Sequence, residues 1–507
     1  MNFSELQNGS DIRGIAMDDG NGSEIDLTGE AVRYLAGAFT KWLGAKLGKE
    51  SLSLAIGRDS RLTGEALTLE AVEGMHAQGA KCADCGLAST PAMFMSTVLE
   101  PYKFDGSIMI TASHLPFYRN GMKFFTKEGG LEKSDISEVT ALADEMYKGT
   151  LAKLEGSTKA DMSIDFMENY TGYLCEKIKK GVNAADYEHP LDGLHIIVDA
   201  GNGNGGFFAK RVLEVLGADT TGSQFLEPDG HFPNHIPNPE NKDAAASIKE
   251  ATLKSKCDLG IIFDTDVDRA GAVLPDGRTL TRNELIAVLS NIALSEHPGT
   301  TIVTDSVTST GLAEYIKARG GVHRRFKRGY RNVIDEAIRL GSEGIDSQLA
   351  IETSGHGAFK ENYFLDDGAY LMVKLLIEMG KKIRIADMLE GLKEPAESDE
   401  IRFHVTADDV KSAQDKALEI LQSSVESGQI PGWSLEKENF EGIRVNADKT
   451  SGNGWLLLRK SLHEPILPLN IESDEKGGNL VMAKKLYEIL QSIDGVDIQP
   501  LKDYIAQ

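Results

Sequence analysis

Three stretches of the chain repeat one order of apolar and polar positions. Each begins with a short β-rich apolar run, passes through a polar loop of Gly, Asp and Ser, and continues with apolar residues at helical spacing. In "LSLAIGRDSRLTGEALTLEAVEGM" (52–75) the helical face carries Leu67, Ala71 and Met75. In "LHIIVDAGNGNGGFFAKRVLEVLG" (194–217) it carries Phe208, Val212, Val215 and Leu216. In "TTIVTDSVTSTGLAEYIKARGG" (300–321) it carries Leu312, Tyr315 and Ile316. The pattern predicts strand, loop and helix in each. Polar residues at a strand's carboxyl end are where α/β folds place ligand contacts. Three such units predict three similar α/β domains in tandem.

The C-terminal part follows a different pattern. "EIRFHVTA" (400–407) predicts a strand and "DDVKSAQDKALEILQSSVES" (408–427) a helix opened by acidic residues. Two or three strands follow through "FEGIRVNA" (440–447) and "GWLLLRKS" (454–461), then the helix "NLVMAKKLYEILQSI" (479–493). Helices on an antiparallel sheet make an α+β domain. The expected class is therefore α/β, three tandem α/β domains with mixed sheets plus a C-terminal α+β domain. The polar, Pro-containing "LKEPAESDE" (392–400) is a linker candidate, and the expected ranges are 1–160, 161–281, 282–395 and 396–507.

Composition narrows the function classes. The 507 residues are 41% hydrophobic and 26% charged, which is soluble globular composition for about three or four domains. No window approaches the ~20 apolar residues of a membrane helix. The opening "MNFSELQNGSDIRG" has neither a secretory nor an organelle-targeting pattern, so the expected location is cytoplasmic. Four cysteines make no disulfide framework. Cys82 and Cys85 form a C-x-x-C without a partner pair, and the favoured reading is small buried residues flanking a loop. The net charge of −24 disfavours nucleic acid and anionic membranes as partners. Against that background "HRRFKRGYR" (323–331), with Arg324, Arg325, Lys327, Arg328 and Arg331, is either a solvated basic face or a site for a small anion.

Five loops carry candidate chemistry. In "ITASHLPFYRNGMKFF" (110–125), Ser113 follows an apolar run, as a reactive serine or a turn residue would, and Asn120-Gly121 is a turn signal. "FDTDVDRAG" (263–271) puts Asp264, Asp266 and Asp268 at alternate positions, which in extended backbone point one way. Three such carboxylates repel unless a cation joins them, and hard oxygen ligands suit Mg²⁺. An EF-hand is excluded because Arg269 and Pro275 stand where Gly and Glu are required. "GNGNGG" (201–206) matches G-x-G-x-x-G, but a turn needing several glycines is favoured over a dinucleotide site. "LLLRKSLHEP" (456–465) holds Arg459, Ser461 and His463 at alternate positions, a donor set for a phosphate dianion or an ordinary exposed strand face. "AIETSGHGAF" (350–359) combines Glu352, Ser354 and His356 with glycines that let sugar hydroxyls approach; a Ser-His nucleophile is the rival, without G-x-S-x-G.

Taken together, "TASHLP", "DTDVDR", "ETSGHG" and "RKSLHEP", in this order, resemble the α-D-phosphohexomutase superfamily and within it the phosphoglucomutase/phosphomannomutase subgroup. The likeness runs from "GSDIRG" and "GRDSRLTG" to the C-terminal domain. It implies four domains around a central cleft and an isomerase that interconverts hexose 1- and 6-phosphates, of glucose or mannose, through a hexose 1,6-bisphosphate. By the same resemblance Ser113 carries the phosphoryl group, and Asp264, Asp266 and Asp268 bind Mg²⁺ with it. Lys123, Arg13 and Arg269 lie near the transferred group. Arg58, His114, Gly329 of "KRGYR", Glu352 and Ser354 contact substrate, and Arg459, Ser461 and His463 grip the non-reacting phosphate. The hexose 1,6-bisphosphate is also the implied activator, sugar phosphates are the implied partners, and monomer and dimer are both compatible.

Two departures from the family pattern bear on substrate preference. Leu115 replaces an Asn in the serine loop. Leu462-His463 replaces Gly-Thr in the phosphate loop, and Pro468 stands for an Arg. An amino-sugar phosphate mutase and a hexose 1,6-bisphosphate synthase are the enzymatic alternatives, and a non-catalytic sugar-phosphate sensor is the alternative of another class. Ser113 and the intact aspartate triplet count against the sensor.

Overall fold

A computed structural model describes residues 1–149, 155–461 and 464–506. Two compact units emerge, one of Met1–Thr281 with Ser354–Asp387, the other of Arg282–Thr353 with Met388–Gln507.

In the first unit, strand Ser53–Arg58 lies between Gly106–Ile110 and Lys81–Leu87, parallel to both. Arg119–Thr126 then pairs antiparallel with Gly106–Ile110, and Asp11–Ile15 antiparallel with Arg119–Thr126, making a mixed sheet. Helices Gly29–Leu47 and Gly64–His76 cover it, and Leu35, Phe39, Leu67, Ala71 and Met75 share one core with Ile108 and Phe124. Thr28 caps the first helix by accepting from Ala31 N at 3.1 Å, a contact whose loss costs ~1 kcal/mol.

Two local expectations fail in this sheet. Asn120-Gly121 makes no turn but sits inside strand Arg119–Thr126. A Cβ at Gly121 would lie 2.3 Å from Ile12 O and 2.7 Å from Thr111 O, so the glycine serves close strand packing. The Asn120 amide is satisfied locally, donating to Thr63 Oγ1 at 3.0 Å. Cys82 and Cys85 likewise lie within strand Lys81–Leu87 rather than flanking a loop. Both are buried free thiols whose pKa burial pushes up to about 12.

The second sheet runs Thr279–Leu280, Ala270–Val273, Leu259–Phe263, Ile196–Asp199; the last pair is parallel and the others antiparallel. The expected helix after Ile196–Asp199 is a short turn, Gly206–Phe208, leading into a widened π-type stretch, Ala209–Leu213. Glu214 N there reaches back five residues to Ala209 O. The wider turn brings Phe208, Val212 and Leu216 into register four apart and buries Leu213, while Val215 turns out to 52% exposure, against expectation. The 354–387 segment adds a hairpin, Gly357–Phe359 with Leu365–Asp366, and the buried helix Gly368–Gly380. Asp367 caps that helix and accepts from Tyr170 OH at 2.7 Å.

In the second unit, Thr301–Thr304 lies between Val322–Arg325 and Ser347–Ile351, all parallel. Helices Arg282–Glu296, Thr310–Ala318 and Tyr330–Ser342 accompany it, with Leu312, Tyr315 and Ile316 buried. The C-terminal sheet is antiparallel, in the order Trp433–Leu435, Ile443–Ala447, Gly454–Leu458, Ile466–Ser473, Glu397–Val405, Val496–Asp497. Helices Val410–Glu426, Gly478–Leu490 and Gln499–Ala506 pack on it. It has more strands than the pattern predicted. Ile466–Ser473 is buried along its whole length although Pro468 lies within it, and proline disfavours a central strand. The register puts Pro468 opposite Arg459, where Arg459 N donates to Pro468 O at 3.1 Å and proline has no N–H to return. Strand Gly454–Leu458 accordingly stops one residue before Arg459. No helix among the described residues is long and apolar enough to cross a membrane.

Candidate active site

Strand Gly106–Ile110 delivers Ser113 three residues past its end, buried and with φ +50. That left-handed backbone is uncommon for any residue but Gly and costs about 1–2 kcal/mol. The Ser113 hydroxyl donates to Asp264 Oδ2 at 3.1 Å, and Arg269 Nη2 donates to Ser113 Oγ at 3.4 Å. Two neighbouring carboxylates complete a cluster, since ligand oxygens of Asp264, Asp266 and Asp268 all lie within 4.8 Å of one another.

The carboxylates do not converge by strand alternation, as the sequence pattern predicted. Strand Leu259–Phe263 ends before Asp264, and a tight turn with Val267 at φ +68 leads to Ala270–Val273. The hairpin, not an extended backbone, folds the three side chains inward. Neighbouring loops hold it there. Thr90 Oγ1 donates to Asp266 Oδ2 at 2.5 Å and Thr90 N to Asp266 O at 2.9 Å. Asn204 N donates to Thr265 O at 2.8 Å. A Cβ at Gly203 would lie 2.7 Å from Thr265 Cα, so the glycines of "GNGNGG" permit backbone to approach backbone.

Three cations surround the cluster. The Lys123 ammonium pairs with Asp268 and lies 3.5 Å from Asp266 Oδ2. Arg269 reaches Asp264 Oδ2 at 3.1 Å. Arg13 Nη1 donates to Thr111 O at 2.7 Å while its Nη2 pairs with Asp11 at 2.8 Å. The carboxyls respond unequally. Burial, then the charges of Asp268 and Asp266, push Asp264 well above the ordinary carboxylate range. Burial also raises Asp268, but Lys123, His356 and Arg269 outweigh it and hold that group low. Asp266 Oδ1 and Asp268 Oδ1 are buried with no hydrogen-bond partner among the described residues. Unpaired carboxylate oxygens in a buried triplet fit a hard cation.

The other expected residues of this unit fall in three places. Ser354 Oγ is 2.9 Å from His356 Nδ1, and His356 Nε2 is 3.8 Å from Asp268 Oδ1, which ties the loop to the acidic cluster. His114, next to Ser113, is exposed, and its Nδ1 lies 3.4 Å from Ser113 Oγ. Arg58 points its guanidinium to Asp84, 3.8 Å away, while its carbonyl accepts from Asn204 Nδ2 at 3.0 Å. Sequence patterns gave no role to Thr90 or Asn204, nor to His356 beside the aspartates, because each acts across long sequence separations.

The second unit holds a site where arginines and carboxylates are buried together. Arg459 is buried and its Nε has no hydrogen-bond partner among the described residues. Burial, then the Arg328 cation, lower its pKa, so two guanidinium groups repel there. Arg459 N and Ser461 N donate to Pro468 O and Ile466 O, so the two alternate residues keep the same ladder edge. His463 and Leu462 lie outside the described residues. Glu352 Oε1 accepts from Gly329 N at 2.6 Å, and burial followed by the Asp305 charge pushes the Glu352 carboxyl up to about 8. The basic run divides. Arg324 pairs with Glu336 and stacks on Phe440, and Arg325 donates to Thr308 O and Ser309 O. Arg328 lies 4.0 Å from both Asp305 and Glu400.

Comparison with known proteins adds the family. Three successive models match: phosphoglucomutase/phosphomannomutase, alpha/beta/alpha domain I over residues 4–149, domain II over 171–277 and domain III over 281–394. A phosphomannomutase/phosphoglucomutase of Pseudomonas syringae pv. tomato is 30% identical over 460 residues, 89% of this chain and 90% of that one. A phosphoglucomutase of Neisseria gonorrhoeae is 27% identical over 485 residues, 95% of this chain and 96% of that one. The crystal structure of a phosphoglucomutase/phosphomannomutase family protein from Burkholderia thailandensis has the same fold. Its TM-score is 0.78 at 24% identity, covering 97% of this chain and 98% of that one.

Proposed function

The chain belongs to the phosphoglucomutase/phosphomannomutase family and is an isomerase of the phosphotransfer kind; from that premise we propose that it interconverts hexose 1-phosphate and hexose 6-phosphate. The sugar is glucose or mannose, and the route passes through phosphorylated Ser113 and a hexose 1,6-bisphosphate. The observation that carries the reading is the Ser113 hydroxyl, in a left-handed turn, 3.1 Å from one carboxylate of a buried triplet.

In the forward half-reaction the free hydroxyl of the sugar phosphate attacks phosphorus. The bond from phosphorus to Ser113 Oγ breaks with its electron pair on Oγ, which takes up a proton, so that free serine and the bisphosphate remain. The reverse step, at the other end of the sugar, transfers that end's phosphoryl group back to Ser113 and releases the isomeric monophosphate. Lys123, acting as the neutral amine, takes the proton of the attacking hydroxyl; in the second half it returns that proton to the sugar oxygen leaving phosphorus, while the Ser113 hydroxyl gives up its own. Arg269 and Arg13 offset charge on the transferred group, because phosphoryl transfer depends on alignment and neutralisation. Asp264, Asp266 and Asp268, with the serine phosphate, would hold Mg²⁺, which supplies charge neutralisation at the phosphoryl oxygens. Arg459, with Ser461 and His463, takes the phosphate that does not react. Glu352, Ser354, Gly329, His114 and Arg58 contact the sugar. The bisphosphate serves as activator by phosphorylating Ser113.

A coupled assay with glucose 1-phosphate and mannose 1-phosphate, Mg²⁺ and trace hexose 1,6-bisphosphate tests this. Turnover of at least one sugar, abolished in Ser113→Ala, is expected. No turnover of either sugar by protein shown to carry the phosphoserine would overturn it.

A further inference from the structure

Beneath the serine loop lies a buried ion pair to which the phosphotransfer chemistry assigns no task. The side chains of Asp59 and Arg61 are fully shielded from solvent, and Arg61 Nε lies 3.2 Å from Asp59 Oδ2. A buried pair is weak evidence of stabilisation, since desolvation offsets the attraction. What distinguishes this one is where its remaining atoms go. Arg61 Nη2 donates to Ser113 O at 2.5 Å and Leu115 O at 2.6 Å. Arg61 Nη1 donates to Pro116 O at 2.8 Å and Arg119 O at 2.9 Å. With Nε on Asp59, each of the five N–H donors of the guanidinium has an acceptor. Asp59 holds the loop from the other side. Its Oδ2 accepts from Thr111 Oγ1 at 2.7 Å, and Thr111 Oγ1 accepts from Ser113 N at 2.9 Å.

We infer that Arg61, with Asp59 acting through Thr111, is the positioning device that fixes Ser113 for phosphoryl transfer. Both backbone polar groups of Ser113 are held by the two members of this one ion pair, the carbonyl by Arg61 and the N–H by Asp59 through Thr111. Ser113 has the left-handed backbone that an L-residue keeps only when its surroundings over-determine it. The grip turns three loop carbonyls and that of Arg119, at the start of the next strand, toward the guanidinium, and Ser113 Oγ faces Asp264. A phosphoryl group on Ser113 adds negative charge beside buried carboxylates, a repulsion that would drive an unanchored loop outward.

The inference rests on Ser113 as the phosphoryl carrier, and the experiment separates the two. Ser113→Ala, Arg61→Lys and Thr111→Val are compared with wild type for kcat, KM, phosphate on Ser113 by intact mass, and thermal midpoint. Lysine keeps the charge but offers three donors without a fork. Valine keeps the shape of threonine and removes the bridging hydroxyl. Arg61→Lys and Thr111→Val are each expected to lower kcat, Arg61→Lys by about 10²-fold, the loss that a displacement near 1 Å causes. KM for the sugar phosphate stays within about threefold, since binding of its other phosphate is untouched. The double variant loses little more than the worse single variant, because both act through one loop. If Arg61→Lys does not fold, Thr111→Val alone decides. Ser113→Ala with full turnover sinks the phosphoserine reading and this inference with it. Ser113→Ala inactive while Thr111→Val, and Arg61→Lys where it folds, keep wild-type kcat sinks the inference alone. A matched rise in KM with unchanged kcat also overturns it.

Discussion

Around Ser113, three buried carboxylates already hold Lys123 and Arg269 and still keep two oxygens without a hydrogen bond among the described residues. Around Arg459, a buried guanidinium stands against a second one and keeps an N–H unused among the described residues. The first region is short of positive charge; in the second, Arg459 keeps a donor unused although Glu441, Glu400 and Asp305 act on it from nearby. The unused groups match what the proposed reaction brings, a divalent cation for the carboxylate oxygens and a phosphate dianion for the guanidinium donor.

The sharpest way to break this contrast is to remove one charge from each region. Asp264→Asn is expected to lower kcat by at least about 10³-fold, because the proposed metal ligand and the partner of the Ser113 hydroxyl go together. The same change relieves like-charge repulsion at a carboxyl already pushed toward its protonated form. Without metal, the variant should melt no lower than wild type in calorimetry. A clear drop would mean that the triplet is a structural network rather than a strained cation site.

Arg459→Ala should act on binding. KM for the sugar phosphate is expected to rise about 10–100-fold, the range for losing charge-assisted hydrogen bonds, with kcat within about threefold. Steady-state kinetics check this, and a fall in kcat at constant KM would dissolve the distinction between the two regions.

A smaller effect concerns pH. The folded-state pKa of Glu352 is about 8, above the ~4.3 of an unfolded chain. Between those values the folded protein keeps a proton that the unfolded chain has released. Its contribution is complete below about pH 4.3, declines as pH rises toward 8 and is level beyond. Glu352→Gln removes that decline while keeping an acceptor for Gly329 N. Urea midpoints of wild type and variant should therefore diverge between pH 5 and about 8.5, wild type falling further. Parallel curves would show an ordinary carboxylate there.

The strand–loop–helix units were legible because hydrophobic period and loop polarity are local properties, and they led to the tandem α/β class that the sheets display. The aspartate triplet was visible as spacing, but its geometry was not. Alternation assumes extended backbone, whereas Val267 takes a left-handed turn that only the hairpin's closure imposes. Asn120-Gly121 misled for the converse reason, since a glycine demanded by strand packing looks like one demanded by a turn. Val215 was misplaced because a widened helical turn breaks the usual spacing. The strand around Pro468 was hidden by a residue that strands avoid. Arg61 left no signal beyond its place in "GRDSRLTG", because its partners are carbonyls about fifty residues away, which any side chain could carry.

The central claim is that Ser113 carries the phosphoryl group. It is tested most directly by intact-protein mass after incubation with glucose 1,6-bisphosphate and Mg²⁺, for wild type and Ser113→Ala side by side. One added phosphoryl group on wild type, mapped to Ser113 and absent from the variant, is the predicted result. An equal gain in both proteins, or none in a wild-type enzyme that turns over, would contradict it.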